Sequence, residues 1–244
     1  MIGGLMEKEF ETQIAAERQR LLNELRRRER EVNPDLEEHW HPAVLLGNIR
    51  TRSVAVTMLR RAGALPKAGD HCLEVGYGAR GWLGALIDWG VRETDLHGIE
   101  IDPISAKKAQ EVLPRADLRV GNAIKLPWDS DTFRLVITST LFTSILDPIV
   151  RRLVAEEINR VLAPGGALLC YDFAFNNPRN PNVRKVSKKE LIRLFPRLKG
   201  TIKSVELAPP LARLVAPRSM TLAFLLERIP LLRTHFVAVM VKQS

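Results

Sequence analysis

The chain of 244 residues is poor in cysteine, with only Cys72 and Cys170. Each stands in a short apolar run that predicts a buried strand, so we expect core thiols in a reducing compartment rather than a disulfide. No cluster of cysteine and histidine has the spacing of zinc ligands, and no metal site is predicted.

Long hydrophobic runs are also missing. No uncharged apolar stretch approaches the ~18 residues that a membrane span requires, and the first ten residues lack the basic start and apolar core of a secretion signal. We therefore expect a cytoplasmic protein. The apolar share of 45% and charged share of 27% are typical of one α/β domain with extensions.

Acidic residues are scarce in the last third of the chain. Residues 176–244 contain fourteen Lys or Arg and three acids, whereas the net charge of the whole chain is +9. The basic third indicates an anionic partner, such as a phosphate-bearing substrate, nucleic acid or an acidic lipid surface. A solvated basic face without a partner is the alternative. Only three aromatic residues occur there, all Phe, which leaves little surface for base stacking.

The most informative stretch runs from His71 to Gly84. An apolar run ends in Glu74, glycines follow with G-x-G-x-x-G spacing, and apolar residues then return with helical spacing from Trp82. This order predicts a strand, a tight turn and the start of a helix. Gly76 and Gly78 lack a Cβ, so the turn can take positive φ and a ligand can approach its backbone.

The glycine spacing is weak when taken alone, but a second acid strengthens it. Glu100 closes the next apolar run, where a carboxylate is placed to accept hydrogen bonds from ribose hydroxyls. Enzymes that bind NAD and enzymes that bind S-adenosylmethionine both use such a pair. The sequence therefore predicts a nucleotide-like ligand at this turn.

Strands and helices alternate along the chain, which predicts a mostly parallel sheet covered on both faces. Strands are expected at about 71–75, 96–101, 117–120, 133–138, 167–173, 202–207 and 235–241. Helices are expected at about 5–30, 48–62, 82–89 and 148–162, and a short one begins at Pro103. A further helix is expected from Ser187 to about 195, with Ser187 as its cap and Glu190 three positions on as in a capping box.

Four motifs together resemble the class I S-adenosylmethionine-dependent methyltransferases, in particular the type 11 group. They are Glu74 to Gly78 as the first motif, Glu100 as the ribose acid, Asn122-Ala123 with Leu126-Pro127 as the adenine-side loop, and residues 161–166 as the turn into strand five. The resemblance covers roughly residues 65–173 and, more loosely, the closing strand pair. A nicotinamide-binding Rossmann domain, the alternative, explains only the first two motifs.

The resemblance implies a Rossmann-like, seven-stranded α/β sheet, mostly parallel with the last strand antiparallel, with helices on both faces. Residues 1–64 are then an N-terminal helical extension or lid, and residues 65–244 the methyltransferase domain, in which residues 176–233 form a substrate-side loop and a basic apolar helical insertion. The implied cofactor is S-adenosylmethionine. The residues implied to bind it are Glu74, Gly76, Tyr77, Gly78, Glu100, Ile101, Asn122, Ala123 and Thr138.

Two departures from the family pattern bear on function. Asn122 stands where many relatives carry Asp, so an adenine contact through a carboxylate would become one through a carboxamide or through the Ala123 backbone. Residues 138–144 lack the histidine pair often found in type 11 relatives. No Asn/Asp-Pro-Pro-Tyr motif occurs anywhere, which argues against methylation of an exocyclic base nitrogen by that mechanism.

Candidate acceptor residues lie at the tip of strand five and in the loop after it. Tyr171, Asn176, Asn177 and Arg179 are predicted to bind substrate. Asp172 is a candidate general base, with a loop-ordering carboxylate as the alternative. His41, or its neighbour His39, is a second candidate if the N-terminal segment folds over the glycine turn, and an ordinary helix-entry turn is the alternative. Methyl transfer is an in-line displacement in which proximity supplies much of the rate, so no universal catalytic residue is expected.

Residues 207–232 read as a basic apolar helix, which would rest on an anionic membrane surface or pack on the domain or a dimer partner. We therefore predict a methyltransferase for a small, or sugar- or lipid-linked, anionic acceptor, acting at oxygen and located in the cytoplasm or at the inner face of the membrane. The alternatives are an RNA methyltransferase and a non-catalytic S-adenosylmethionine-binding module that serves a partner.

Overall fold

A computed structural model describes residues 2–31, 40–79, 81–177 and 180–243, and for residues 2–9 only the helical backbone. Seven strands form one sheet in the order β3-β2-β1-β4-β5-β7-β6. Their bounds are β1 Cys72–Val75, β2 Leu96–Glu100, β3 Asp117–Val120, β4 Phe133–Ser139, β5 Leu162–Phe173, β6 Leu198–Leu207 and β7 Arg233–Lys242.

The directions of the strands confirm the predicted fold class. Strands β1 to β5 pair in parallel, whereas β7 runs antiparallel to both of its neighbours, β5 and β6. The chain builds outward from β1 through β2 to β3 and then returns to place β4 on the other side of β1. In open α/β sheets a ligand crevice forms at such a switch point, at the carboxyl ends of the strands.

Helices cover both faces of the sheet and the space above its carboxyl edge. They are α1 Ile2–Glu31, α2 Pro42–Arg61, α3 Leu83–Asp88, α4 Pro103–Val112, α5 Leu141–Ser144, α6 Pro148–Val161, α7 Lys188–Leu194, α8 Pro209–Val215 and α9 Met220–Glu227. Helices α4 and α6 each begin with Pro after a capping Asp that accepts backbone N–H groups of the first turn, a combination that favours helix initiation.

The insertion between β6 and β7 differs from the single helix that was predicted. It consists of α8, α9 and a 3-10 turn at Pro230–Leu232, because Pro217 and Pro230 interrupt the run and Ser219 caps a new helix by accepting the N–H of Leu222. The two helices pack on α2 and β6 through a small apolar cluster formed by Leu46, Leu207, Ala212, Ala216 and Ala223.

Two further details correct the sequence prediction. Ser187 caps α7 by accepting the N–H of Glu190, as expected, but the Glu190 carboxylate does not reach back to complete a capping box. It accepts instead from Arg151 and Arg184. Strand β5 begins at Leu162, before the Pro-Gly-Gly turn, because Leu162 already pairs with Phe133 ahead of a register shift. Among the described helices, none is long and apolar enough to cross a bilayer.

Candidate active site

The glycine turn between β1 and α3 is held open by backbone conformation. Gly76 and Gly78 have φ of 75° and 58°, values that favour glycine. The Gly76 N–H donates to the Ile99 carbonyl at 2.9 Å, which ties the turn to β2. A Cβ added at Gly76 would lie 3.1 Å from Leu141 Cδ1, so a side chain here would be strained and would also narrow the crevice.

Glu74 is buried behind this turn at the start of α3. Its Oε2 accepts the N–H groups of Trp82 at 2.6 Å and Leu83 at 3.1 Å, while Oε1 is buried without a hydrogen-bond partner among the described residues. Burial raises the pKa of Glu74 to about 8. A carboxylate in this environment is stabilised by a nearby cation.

The Glu74 contacts bear on which nucleotide fits the turn. A dinucleotide places its diphosphate on the free N–H groups at the start of the helix. In this chain two of those donors, from Trp82 and Leu83, are already bound to the protein's own carboxylate. A cationic sulfonium nucleoside suits the arrangement, whereas a diphosphate would meet an acid and occupied donors.

Glu100 bridges the tip of β2 and the glycine turn. Its Oε2 accepts the Gly78 N–H at 2.8 Å, and its Oε1 accepts the N–H groups of Ile101 at 2.8 Å and Asp102 at 3.0 Å. Burial raises the pKa of Glu100, and the three N–H donors partly offset that effect. The side chain is therefore fixed at the edge of the crevice, where a carboxylate has further lone pairs for ribose hydroxyls.

Six of the predicted cofactor residues surround one cavity of about 220 Å³, called here the first cavity. They are Gly76, Gly78, Glu100, Ile101, Asn122 and Ala123. The sequence prediction thus brings together residues from β1, β2 and the loop after β3. The chemistry of these six residues fits S-adenosylmethionine, because the glycine turn leaves room for a ligand beside its backbone and Glu100 offers a carboxylate for ribose hydroxyls.

Three predicted cofactor residues do not line the first cavity: Glu74 is buried behind the glycine turn, and Thr138 and Tyr77 lie elsewhere. Thr138 is fully buried in β4, and the next two residues, Ser139 and Thr140, line the cavity instead. The Tyr77 ring points to the other side of the turn, where it packs against Gly98 and its hydroxyl donates to the Arg119 carbonyl at 3.4 Å. Only the backbone of Tyr77 therefore belongs to the glycine turn.

Helix α1 closes the outer side of the first cavity through Leu21, Leu25 and Arg28. Two buried acids one heptad apart fix the helix. Glu17 accepts the Leu146 N–H at 2.6 Å, and Glu24 accepts the side-chain amide of Asn182 at 2.8 Å. The N-terminal extension therefore covers the crevice with α1, whereas His41, the candidate base if this segment folds over the turn, does not line the first cavity.

A second cavity, of about 310 Å³, lies beside the first between α2, α8 and the ends of β5, β6 and β7. Ser139 and Thr140 line both cavities, so the two cavities adjoin at these residues. Thr140 has φ of 52°, which is unfavourable for a β-branched residue and is characteristic of functional sites.

Aromatic side chains and one carboxylate, that of Glu206, line the second cavity. The Tyr171 and His235 rings are stacked with centroids 5.2 Å apart, and the Tyr171 hydroxyl donates to the Glu206 carboxylate. Burial raises the pKa of Glu206 and lowers the pKa of His235 to about 3, so the imidazole is neutral at pH 7. Arg52 and Arg213 also line this cavity.

Sequence reasoning placed Tyr171 on the acceptor side but missed Glu206 and His235. Both come from the last two strands, and their proximity depends on the register in which β7 pairs with β5 and β6. No local pattern encodes that register. The sequence offered one weak sign of this site, because Glu206 is one of only three acids in residues 176–244 and lies near the end of a predicted strand.

The remaining acceptor predictions lie elsewhere. Asp172 is fully buried on the opposite side of β5 from Tyr171, and it accepts the N–H groups of Thr143 at 3.2 Å and Phe173 at 2.9 Å. Burial raises the pKa of Asp172 to about 6. It lines neither cavity, so its place is that of the loop-ordering carboxylate, not of a base that touches the acceptor.

His41 caps α2, because its Nδ1 accepts the Ala43 N–H at 3.2 Å. Asn176 fixes its own loop by accepting the Lys185 N–H at 2.8 Å, and neither it nor Asn177 lines a cavity. Arg179 and His39 lie outside the described residues.

Comparison with known proteins agrees with this geometry. Residues 72–166 match the family model of the methyltransferase domain. A 115-residue segment is 30% identical to sterol 4-C-methyltransferase of Caenorhabditis elegans and covers 44% of this chain and 32% of that protein. A 110-residue segment is 29% identical to demethylmenaquinone methyltransferase of Lysinibacillus sphaericus and covers 43% and 45%. The chain thus spans less than half of either relative.

Among solved structures, geranyl diphosphate C-methyltransferase from Streptomyces coelicolor superimposes with a TM-score of 0.58 and 17% sequence identity over 79% of this chain and 77% of its own. At this identity the likeness shows the fold alone. The family match falls on the stretch that forms β1 to the start of β5 and most of the lining of the first cavity. Residues 72–166 therefore match a methyltransferase domain, and the residues around the first cavity fit S-adenosylmethionine as its cofactor.

Proposed function

We propose that the protein transfers a methyl group from S-adenosylmethionine, held in the first cavity, to an oxygen of an anionic acceptor held in the second. One observation carries the proposal: the two cavities meet at Ser139 and Thr140. An in-line displacement needs an acceptor that can approach the methyl carbon without a solvent gap, and adjoining cavities meet that requirement.

The first cavity supports the cofactor's half of the reaction. Gly76 and Gly78 would lie beside the methionine part, Glu100 would accept ribose hydroxyls, and Ile101, Asn122 and Ala123 would meet the adenine. When bound, S-adenosylmethionine supplies a methyl group already activated by the positive charge on sulfur. Glu74 favours that positive charge and holds the glycine turn in place through Trp82 and Leu83.

The second cavity offers a proton acceptor for a hydroxyl group. As the acceptor oxygen bonds to carbon, it loses its proton, and the Glu206 carboxylate is the group placed to receive it. Tyr171 donates its hydroxyl to the same carboxylate, which orients the acid, and the stacked His235 ring holds Tyr171. A raised pKa makes Glu206 a stronger base than an exposed carboxylate.

Charge supports an anionic acceptor. Arg52 and Arg213 line the second cavity among apolar side chains that include Val44, Trp82 and Phe173. Guanidinium groups bind carboxylates and phosphates through paired hydrogen bonds. The combination fits a molecule with an acidic group and an apolar body, either small or linked to a sugar or lipid.

A carbon acceptor is the second candidate, and the names of two similar proteins favour it. One relative is named for methylation of a sterol at a carbon and one solved structure for C-methylation of geranyl diphosphate. An acid beside the acceptor serves either reaction, because both remove a proton from the acceptor in the course of methylation.

The test supplies the protein with S-adenosylmethionine carrying a ¹³C methyl group and with a fractionated cell extract. We expect labelled product, and its ¹³C shift separates an O-methyl from a C-methyl group. Glu206→Gln should lower kcat at least a hundredfold with unchanged affinity for S-adenosylmethionine, whereas the exposed Glu156→Gln should change neither. Cofactor binding without turnover in every fraction would contradict the proposal and favour a non-catalytic module.

A further inference from the structure

The insertion between β6 and β7 presents a surface of exposed apolar and basic side chains. Large apolar side chains are exposed on α8, on α9 and in the turn after α9, and they are Leu214, Leu222, Leu225, Ile229 and Leu231. Leu231 is 92% exposed. Together with the exposed Arg218 and Arg228 these residues are called the α8–α9 surface.

The spacing on α9 shows that the exposure is one continuous face. Leu222 and Leu225 are one turn apart, and Ile229 follows a further turn along the chain, while Ala223 and Glu227 point inward and are buried. Helices of soluble domains usually turn such apolar positions toward the core. Here the core side of α9 is occupied, so the outer apolar face has no partner within the described chain.

The charge of this surface has one sign. Every residue from 207 to 233 is described, and the only acid among them is Glu227, which is 2% exposed and paired with Arg50 at 2.9 Å. Arg213, Arg218 and Arg228 are exposed. Exposed leucines between arginines, without an exposed acid, are the features of a segment that lies in the interface of an anionic bilayer.

From these features we propose that the α8–α9 surface binds the surface of an anionic lipid membrane. The leucines would enter the boundary between headgroups and acyl chains, and the arginines would pair with lipid phosphates. A symmetric contact with a second copy would place like charges together, and RNA would find no exposed aromatic ring between 207 and 233, where the single aromatic, Phe224, is half-buried.

The position of this surface adds a consequence for the substrate, which rests on the proposed function. Ala212 and Arg213 of α8 line the second cavity, and Leu214 next to them belongs to the α8–α9 surface. Binding to a bilayer would therefore bring the mouth of the second cavity to the lipid boundary. An acceptor with an acidic headgroup and an apolar tail would pass from the membrane to the cavity without crossing water.

The experiment is sedimentation of the full chain with large vesicles, either of phosphatidylcholine alone or of phosphatidylcholine with a quarter phosphatidylglycerol. We expect binding to the anionic vesicles and at least tenfold weaker binding to the neutral ones. Leu222→Asp with Leu225→Asp should reduce binding at least tenfold, and Arg218→Gln with Arg228→Gln severalfold. The matched control is Ile192→Asp with Arg193→Gln on α7, which replaces an exposed apolar residue and an exposed arginine outside the α8–α9 surface. This variant should bind vesicles as the unmodified protein does.

Several results would overturn the proposal. The first is no binding to anionic vesicles, and the second is an equal loss of vesicle binding in the α7 control. The third is vesicle binding that added salt abolishes but that the leucine substitutions leave unchanged. A dimer in analytical ultracentrifugation that Leu225→Asp dissociates would assign the surface to a second copy, and tighter binding to RNA than to vesicles would assign it to nucleic acid. Vesicle binding requires no turnover, so its failure is separate from failure of the methyl transfer proposed above.

Discussion

At the scale of single residues, Glu74 gives the sharpest prediction. Burial raises the pKa of Glu74 from 4.5 for the free side chain to about 8 in the folded protein, so between these pH values the folded state holds a proton that the unfolded state has lost. Its contribution to stability is complete below pH 4.5 and is lost as the pH rises to about 8. The free energy of unfolding should fall by up to about 1.4 kcal/mol per pH unit within that window.

Urea unfolding between pH 5 and 8 measures this slope. Glu74→Gln should flatten it, because the amide does not titrate, and Glu156→Gln on the exposed face of α6 should leave it unchanged. A cationic ligand should lower the pKa of Glu74, so binding of S-adenosylmethionine at pH 7.5 should release protons. Equal slopes for the Glu74 variant and the unmodified protein would contradict the assignment.

Residues also differ in how far sequence alone could place them. The glycine turn, Glu74 and Glu100 are local, since every donor and acceptor in that network lies between residues 74 and 102. Their roles could be read from spacing. Glu206 lies beside Tyr171 only because β7 pairs with both β5 and β6, and that contact spans 35 positions of the chain.

At the scale of elements, α1 gives the second prediction. Glu17 and Glu24 fix this helix over the first cavity, and a hydrogen bond from Arg27, aided by further donors, lowers the pKa of Glu24 to about 2, so the acid stays ionised. Removing both carboxylates in Glu17→Ala with Glu24→Ala should loosen the helix. We expect about tenfold weaker binding of S-adenosylmethionine and faster hydrogen exchange in α1.

Glu11→Ala is the control for this change, because Glu11 is an exposed acid of the same helix. It should alter neither exchange nor affinity. Unchanged cofactor affinity in the double variant, with α1 exchanging freely, would mean that the helix covers the cavity without contributing to binding.

Elements with strong local signals were predicted well, and the others were not. Strand β3 has the predicted bounds and α4 begins at the predicted Pro103, because alternating apolar residues and a capping Asp act over a few positions. Helix α2 begins at Pro42 rather than near 48, because His41 caps it and Pro42 is tolerated at the first helical position. The insertion divides into α8 and α9 because proline interrupts a run whose apolar content alone favoured one helix.

At the scale of the whole molecule, different elements build the first cavity, which we propose for the cofactor, and the second, which we propose for the acceptor. The first cavity is built mainly from α1 and the region between β1 and α6, whereas the second depends on α2, α8 and the last strands. A change confined to β6 should therefore impair methyl transfer and leave the cofactor site intact.

Gly200 in β6 provides the test. A Cβ there would lie 1.9 Å from the Val239 carbonyl oxygen of β7. Relieving this contact would require the paired backbone of β6 and β7 to shift. Gly200→Ala should reduce stability by about 1–3 kcal/mol, lower turnover at least tenfold and leave affinity for S-adenosylmethionine unchanged. Thr201→Ala at the exposed neighbouring position should have little effect on any of the three, and equal loss of cofactor affinity in the Gly200 variant would contradict the separation.

The position of β7 between β5 and β6 also constrains how the protein can be made. During synthesis β6 leaves the ribosome before β7, yet β7 is its hydrogen-bonded neighbour in the described sheet. Until β7 emerges, β6 therefore has exposed backbone donors and acceptors, which is a known route to aggregation. We conclude that biosynthesis of this sheet depends on late insertion of a strand into its interior, a step at which a molecular chaperone or slow translation would matter most.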